Sequence, residues 1–182
     1  IAGSDWQEFF IMDLELNEIR KDHLKWIKFS GMAWHGNGFY YLRYPRPDEN
    51  DELSAANENS KVYYHKLGTP QESDELIFYD PATPKISPWI STTDDERFLF
   101  LYRSSGTYGN SLAFRDTKST NSNWTPIVDD YTSNISVMDH IDGKLIVQTD
   151  RNAPFKKIVL IDPNEPGEKN WKTLIAGTKD EV

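Results

Sequence analysis

The sequence predicts an all-β fold: a β-propeller segment of about three complete four-stranded antiparallel blades, preceded by the outer strands of one more blade. Three observations carry this expectation. First, Gly31–Tyr79, Trp89–Val128 and Val137–Ile175 each read as a short apolar strand, a tight polar turn and a second strand, followed by a third strand, a polar loop and a fourth strand. Self-similarity at about 40–50 residues with four strands per unit is the signature of propeller blades. Second, the turns align as Gly36-Asn37-Gly38, Asp94-Asp95-Glu96 and Asp142-Gly143-Lys144, at spacings of 58 and 48 residues. The first spacing is longer because a polar loop, Pro45–Ser60, is inserted there. Third, aromatics make up 13% of the 182 residues, with six Trp and nine Tyr, which suits strands better than helices. A hydrophobic fraction of 37% fits small stacked sheets better than one compact globule.

The elements follow in order. Phe9–Leu16 alternates apolar and polar residues and ends in the turn Glu15-Leu16-Asn17-Glu18. Leu24–Lys28 reads as a second strand, and the two form the outer strands of a truncated blade over residues 1–28. The first full blade, 29–80, has strands Phe29–His35, Phe39–Tyr44, Lys61–Leu67 and Glu75–Tyr79. The second, 81–130, has Trp89–Thr93, Arg97–Arg103, Ser111–Arg115 and Trp124–Val128. The third, with the C-terminal tail, covers 131–182 and has Ile135–Ile141, Lys144–Thr149, Lys157–Ile161 and Trp171–Ile175. Pro81-Ala82-Thr83-Pro84 and Asp129-Asp130-Tyr131 read as crossings between blades, and Pro126 falls on an outer strand, where a missing N–H is tolerated. Asp48–Asn59 is acidic and amide-rich and reads as a mobile loop. Helical periodicity is weak throughout.

Composition narrows the function. The net charge is −9 and no Lys/Arg-rich run occurs, which argues against nucleic acid and against an anionic membrane as partners. The absence of cysteine excludes disulfides, thiolate metal sites and a cysteine nucleophile. No apolar run reaches 18 residues and the start resembles no signal peptide, so the chain reads as soluble, with cytoplasm and periplasm both open. It has no initiator Met, and both ends read as cut from a longer chain.

A catalytic constellation is not found. There is no Gly-x-Ser-x-Gly elbow, no His-Glu-x-x-His and no phosphate-cradling glycine loop. His23, His35, His65 and His140 lack metal-ligand spacing and read as turn or strand-face residues. Asp94-Asp95 and Asp129-Asp130 read as turn carboxylates that bond nearby amides. Asn123-Trp124-Thr125 and Asn134-Ile135-Ser136 fit the glycosylation triplet, a pattern common by chance. No catalytic residue, metal or cofactor is expected within the segment.

Lys61-Val62-Tyr63-Tyr64-His65-Lys66-Leu67-Gly68-Thr69-Pro70-Gln71, followed by Asp74, resembles the propeller of the prolyl oligopeptidase (prolyl endopeptidase) family. So do Trp26–Trp34, Phe39–Pro45, the Asp94-Asp95 turn and Arg103, in the order that family has them. The resemblance is strong over Trp26–Arg103 and collinear on to Ile175.

That family joins a propeller to an α/β-hydrolase domain with a Ser-Asp-His triad and cleaves short peptides after proline. The resemblance therefore implies a non-catalytic propeller slice acting as lid and size filter. Its partners would be the hydrolase domain of the same parent chain and short proline-containing peptides. It implies two substrate-binding residues, Phe29 as an apolar wall and Arg103 as a donor near the substrate backbone. Two further pocket positions fall on Ser87 and Gly106, which offer little wall. Pro45–Ser60 falls where the family has a loop linked to substrate entry. The alternatives are a free-standing propeller scaffold for protein binding and a sister oligopeptidase cleaving after basic residues, for which no acidic recognition groups are assigned. Isolated, the fragment is expected to self-associate through uncovered sheet faces.

Overall fold

The computed structural model describes residues 5–48 and 56–178. Among these the fold is carried by fourteen strands, with single 3-10 turns at Gln71–Ser73 and Glu168–Asn170. The chain divides into two compact units, Ile1–Ser91 and Thr92–Val182. No helix among the described residues is long and apolar enough to cross a membrane.

In the first unit, β1 (Gln7–Asp13) and β2 (Glu18–Ile27) form a two-stranded antiparallel sheet. β1 stops at Asp13 because its carboxylate accepts the amides of Glu15 and Leu16, both at 3.1 Å, and turns the chain. Asn17 closes that turn at φ 53°, a conformation Asn tolerates better than most side chains. The turn expected at Glu15-Leu16-Asn17-Glu18 is present and starts one residue earlier, at exposed Leu14. β2 is longer than the expected Leu24–Lys28, because the polar residues from Glu18 continue the pairing, with Met12 opposite Ile19 and Asp13 opposite Glu18.

β3 (Ala33–Trp34), β4 (Gly38–Arg43), β5 (Lys61–Lys66) and β6 (Glu75–Phe78) form a four-stranded antiparallel sheet in that order. Here β3 departs most from the expected Phe29–His35. Phe29 has φ 52°, outside the strand region, and the Ser30 hydroxyl takes the Leu42 amide. Backbone pairing therefore begins only at Ala33. β4 is buried from Gly38 to Leu42 on both faces, as a strand covered on both sides should be. Ile11 and the fully buried Leu24 and Ile27 of the β1–β2 hairpin join Phe39 and Tyr41 in one core. Each such side chain contributes about 1.5–3 kcal/mol by leaving water. Gly38 is required by space, since a Cβ there would lie 2.1 Å from the His65 carbonyl oxygen.

The division between units falls within β7 (Ser87–Thr92), which edges the sheet completed by β8 (Phe98–Ser104), β9 (Ser111–Asp116) and β10 (Thr125–Val128). Pro126 sits on β10, the other edge, and is exposed. The last sheet runs β11 (Ile135–Ile141), β12 (Lys144–Thr149), β13 (Lys157–Ile161) and β14 (Lys172–Ile175). β11, β12 and β13 have the bounds expected from sequence. Their first turn is type I′, with Asp142 at φ 50° and Gly143 at φ 76°. β14 starts one residue after Trp171, because that residue caps the preceding 3-10 turn. Its amide donates to Glu168 and its indole to the Pro166 carbonyl at 2.8 Å.

Within the second unit, Phe98, Phe100, Leu112, Phe114, Ile135, Leu145, Val147 and Ile161 form one core. Asn110 stitches β9 to β11 through that core. Its Nδ2 donates to the Ile135 carbonyl at 2.9 Å and its Oδ1 accepts the Ile135 amide at 3.1 Å.

Candidate substrate-binding site

Phe29 follows β2 and is pinned by its neighbours rather than by its own contacts. Lys28 is buried; its ammonium donates to Asn57 Oδ1 at 3.0 Å and lies 4.2 Å from the centre of the Trp6 ring. Ser30 Oγ accepts the Leu42 amide at 2.8 Å and donates to the Gly31 carbonyl at 2.7 Å. Between them Phe29 is 64% exposed at φ 52°.

Arg103 lies in the second unit, on β8 opposite Ser111, whose hydroxyl accepts its Nε–H at 3.3 Å. Arg103 as a whole is half-buried. The loop that follows is held by Ser104 Oγ, within hydrogen-bonding distance of the Gly106 and Gly109 carbonyls at 2.8 and 2.9 Å. Gly109 can only be glycine, because a Cβ there would lie 1.8 Å from the Tyr131 carbonyl oxygen. Gly106 is the opposite case: a Cβ there meets nothing within 4 Å. Ser87 opens β7 and is half-buried. Of the inserted loop Pro45–Ser60, residues 49–55 lie outside the described residues.

Sequence reasoning missed the most concentrated polar chemistry of the chain. His65 is fully buried on β5, with Nδ1 2.7 Å from Asp74 Oδ1 and Nε2 3.0 Å from Asp22 Oδ1. Tyr41 donates its hydroxyl to the other oxygen of Asp74 at 2.7 Å, and Gln71 Nε2 donates to Tyr41 Oη at 3.0 Å. Burial opposes the charge on Asp22, but the Gly68 amide at 2.5 Å and the His65 ring hold its carboxyl below the usual carboxylate range. Burial, with Asp74 adding to it, pushes the Tyr41 hydroxyl far up, so it stays a donor. Both His65 nitrogens face carboxylates, which leaves neither for a nucleophile or a metal. The hub is a fastener: Asp22 is on β2, His65 on β5 and Asp74 just before β6.

The other candidates fall to structural roles. Asp95 accepts the Thr93 hydroxyl at 2.8 Å and the Arg97 amide at 3.1 Å, which bring its carboxyl down to about 2. Asp130 accepts the Thr132 amide and two bonds from Arg151. Asn134 is occupied by Asp150 and the Gly109 amide. Among the described residues, no group of three or more His, Asp or Glu is arranged to hold a metal ion.

Comparison with known proteins places this arrangement. Residues 1–182 match the family described as prolyl oligopeptidase, N-terminal β-propeller domain. The chain belongs to that family. Among its relatives, this prolyl oligopeptidase propeller segment is 37% identical over 180 residues to the prolyl endopeptidase of Elizabethkingia meningoseptica, covering 98% of the chain and 25% of the relative. It is 30% identical over 166 residues to a dual-function macrocyclase-peptidase of Galerina marginata, covering 87% of the chain and 22% of the relative. The segment thus spans about a quarter of the length of the curated relatives it matches. Among solved structures, prolyl oligopeptidase B of Galerina marginata, bound to a 35mer hydrolysis and macrocyclization substrate, superposes with a TM-score of 0.83 at 25% identity. That match covers 98% of the segment and 27% of the solved chain. The all-β fold of four-stranded antiparallel sheets is that of the prolyl oligopeptidase propeller.

Proposed function

We propose that this chain is the non-catalytic propeller portion of a longer serine peptidase that cleaves short peptides after proline. In that reading it lies over an α/β-hydrolase domain of the same parent chain and restricts entry to short proline-containing peptides. The observation that carries it is the match of all 182 residues to the propeller family, with prolyl endopeptidases among the relatives. Phe29 and Arg103 are the residues that would touch substrate. The ring of Phe29 offers an apolar wall to side chains preceding the proline. Arg103, oriented by Ser111, offers N–H donors to a peptide carbonyl. Ser87 and Gly106, the other two positions the resemblance implies, offer little apolar side chain.

The isolated chain, with no catalytic serine motif and with His65 enclosed by two carboxylates, should hydrolyse no prolyl reporter. Turnover that co-purifies with the chain through successive columns and disappears on mutating one of its own residues would refute the non-catalytic assignment.

A further inference from the structure

Residues 26, 28 and 30 are each fastened, and residues 26 and 29 adopt backbone angles that bulky side chains avoid. The Trp26 carbonyl accepts the Tyr44 amide at 3.0 Å, Lys28 reaches Asn57 at 3.0 Å, and Ser30 accepts the Leu42 amide at 2.8 Å. Trp26 stands at φ 62° and Phe29 at φ 52°. A bulky residue in the left-handed region costs free energy, and such strain persists only where the surroundings over-determine it. The Lys28 ammonium is part of that determination. It sits beneath Trp6, whose ring stacks edge-on against Trp26 at 5.5 Å and Tyr44 at 6.4 Å.

A mere connector in this conformation would be Gly or Asn. A phenyl ring kept on such a backbone points to a role for the ring itself. We propose that Ser30 and Lys28 are positioning residues that hold Phe29 as a preformed apolar wall for peptide side chains preceding the proline. This rests on the reading of Phe29 given above and adds to it that the wall exists before substrate arrives. Preformed geometry spares the ordering that substrate would otherwise have to impose.

The test uses the intact parent protein with two reporters, a minimal Gly-Pro chromogenic substrate and the same substrate extended on its N-terminal side by apolar residues. Ser30→Ala should raise KM for the extended reporter roughly three- to tenfold more than for the minimal one, the effect of one lost hydrogen bond. Ser30→Thr, which keeps the hydroxyl, should restore most of it. Asn57 is exposed, so Asn57→Ala frees Lys28 without disturbing the core and should act in the same direction. If Phe29→Ala discriminates between the reporters while Ser30→Ala and Asn57→Ala do not, the positioning role is wrong and the wall stands. If Phe29→Ala fails to discriminate, the reading of Phe29 falls, and this inference with it.

Discussion

His65 Nε2 lies 3.0 Å from Asp22 Oδ1, joining residues 43 positions apart, and both side chains are 1% exposed. With Asp74 on the other ring nitrogen, His65 bridges two buried carboxylates. Removing it leaves both without their ring partner. His65→Leu should therefore destabilise the chain by about 3–5 kcal/mol, the range for breaking a buried charged network from one side. Urea denaturation measures this; a loss below about 1 kcal/mol would mean that the hub fastens nothing.

The same hub sets an acid limit. The Asp22 carboxyl is held below the ordinary carboxylate range, so its ionised form contributes stability from that range upward. The contribution fades as pH falls through the lowered value, that is, below about pH 4. Asp22→Asn should be less stable at neutral pH and should flatten the pH dependence of the urea midpoint on the acid side. An unchanged acid slope would assign that dependence to other carboxylates.

Backbone strain at Phe29 gives a reversal of the usual ranking. Glycine normally destabilises relative to alanine by about 0.5–1 kcal/mol. At φ 52° the order should invert, with Phe29→Gly more stable than Phe29→Ala by about 1 kcal/mol. Paired thermal denaturation of the two variants decides it. The usual order, alanine above glycine, would show that residue 29 is not left-handed in solution.

How much of this was legible in the sequence depended on whether local pattern or distant partners decide a feature. β11, β12 and β13 were read to the residue, because their apolar runs flank an unmistakable Asp-Gly turn, and the register shift between Val137 and Asp139 leaves the strand ends in place. The strand expected at Phe29–His35 was wrong for its first four residues, because apolar character there reflects an exposed ring and not pairing. The hub left no local trace. Its carboxylates stand 43 and 9 residues from His65, and β5 buries Val62 and His65 three apart, with a register shift at Val62–Tyr63 breaking the two-residue period. Phe29 and Arg103 came from family resemblance, since neither belongs to a motif that spacing alone would single out.

Uncovered apolar side chains predict behaviour of the isolated chain. Met138, Ile141, Leu174 and Ile175 on the last sheet are all more than half exposed, as are Phe10 and Ile19 on the β1–β2 hairpin. In a longer parent, neighbouring blades would be available to cover them. Alone, the chain should form dimers or larger species, driven by these patches and by open strand edges. Light scattering across a concentration series tests this. A single monomeric species at high concentration would contradict it.

The central claim is that this propeller contacts the part of the substrate beyond the proline, and Arg103 tests it most directly. In the intact parent, kcat/KM should be measured for prolyl peptides of increasing N-terminal length, with Arg103 and with Arg103→Gln. A hydrogen bond from a charged donor to a partly desolvated carbonyl is worth about 1–3 kcal/mol. The ratio of extended to minimal substrate should accordingly fall by roughly five- to a hundredfold in the variant. Equal losses at every length would contradict the claim and make Arg103 a structural residue of β8.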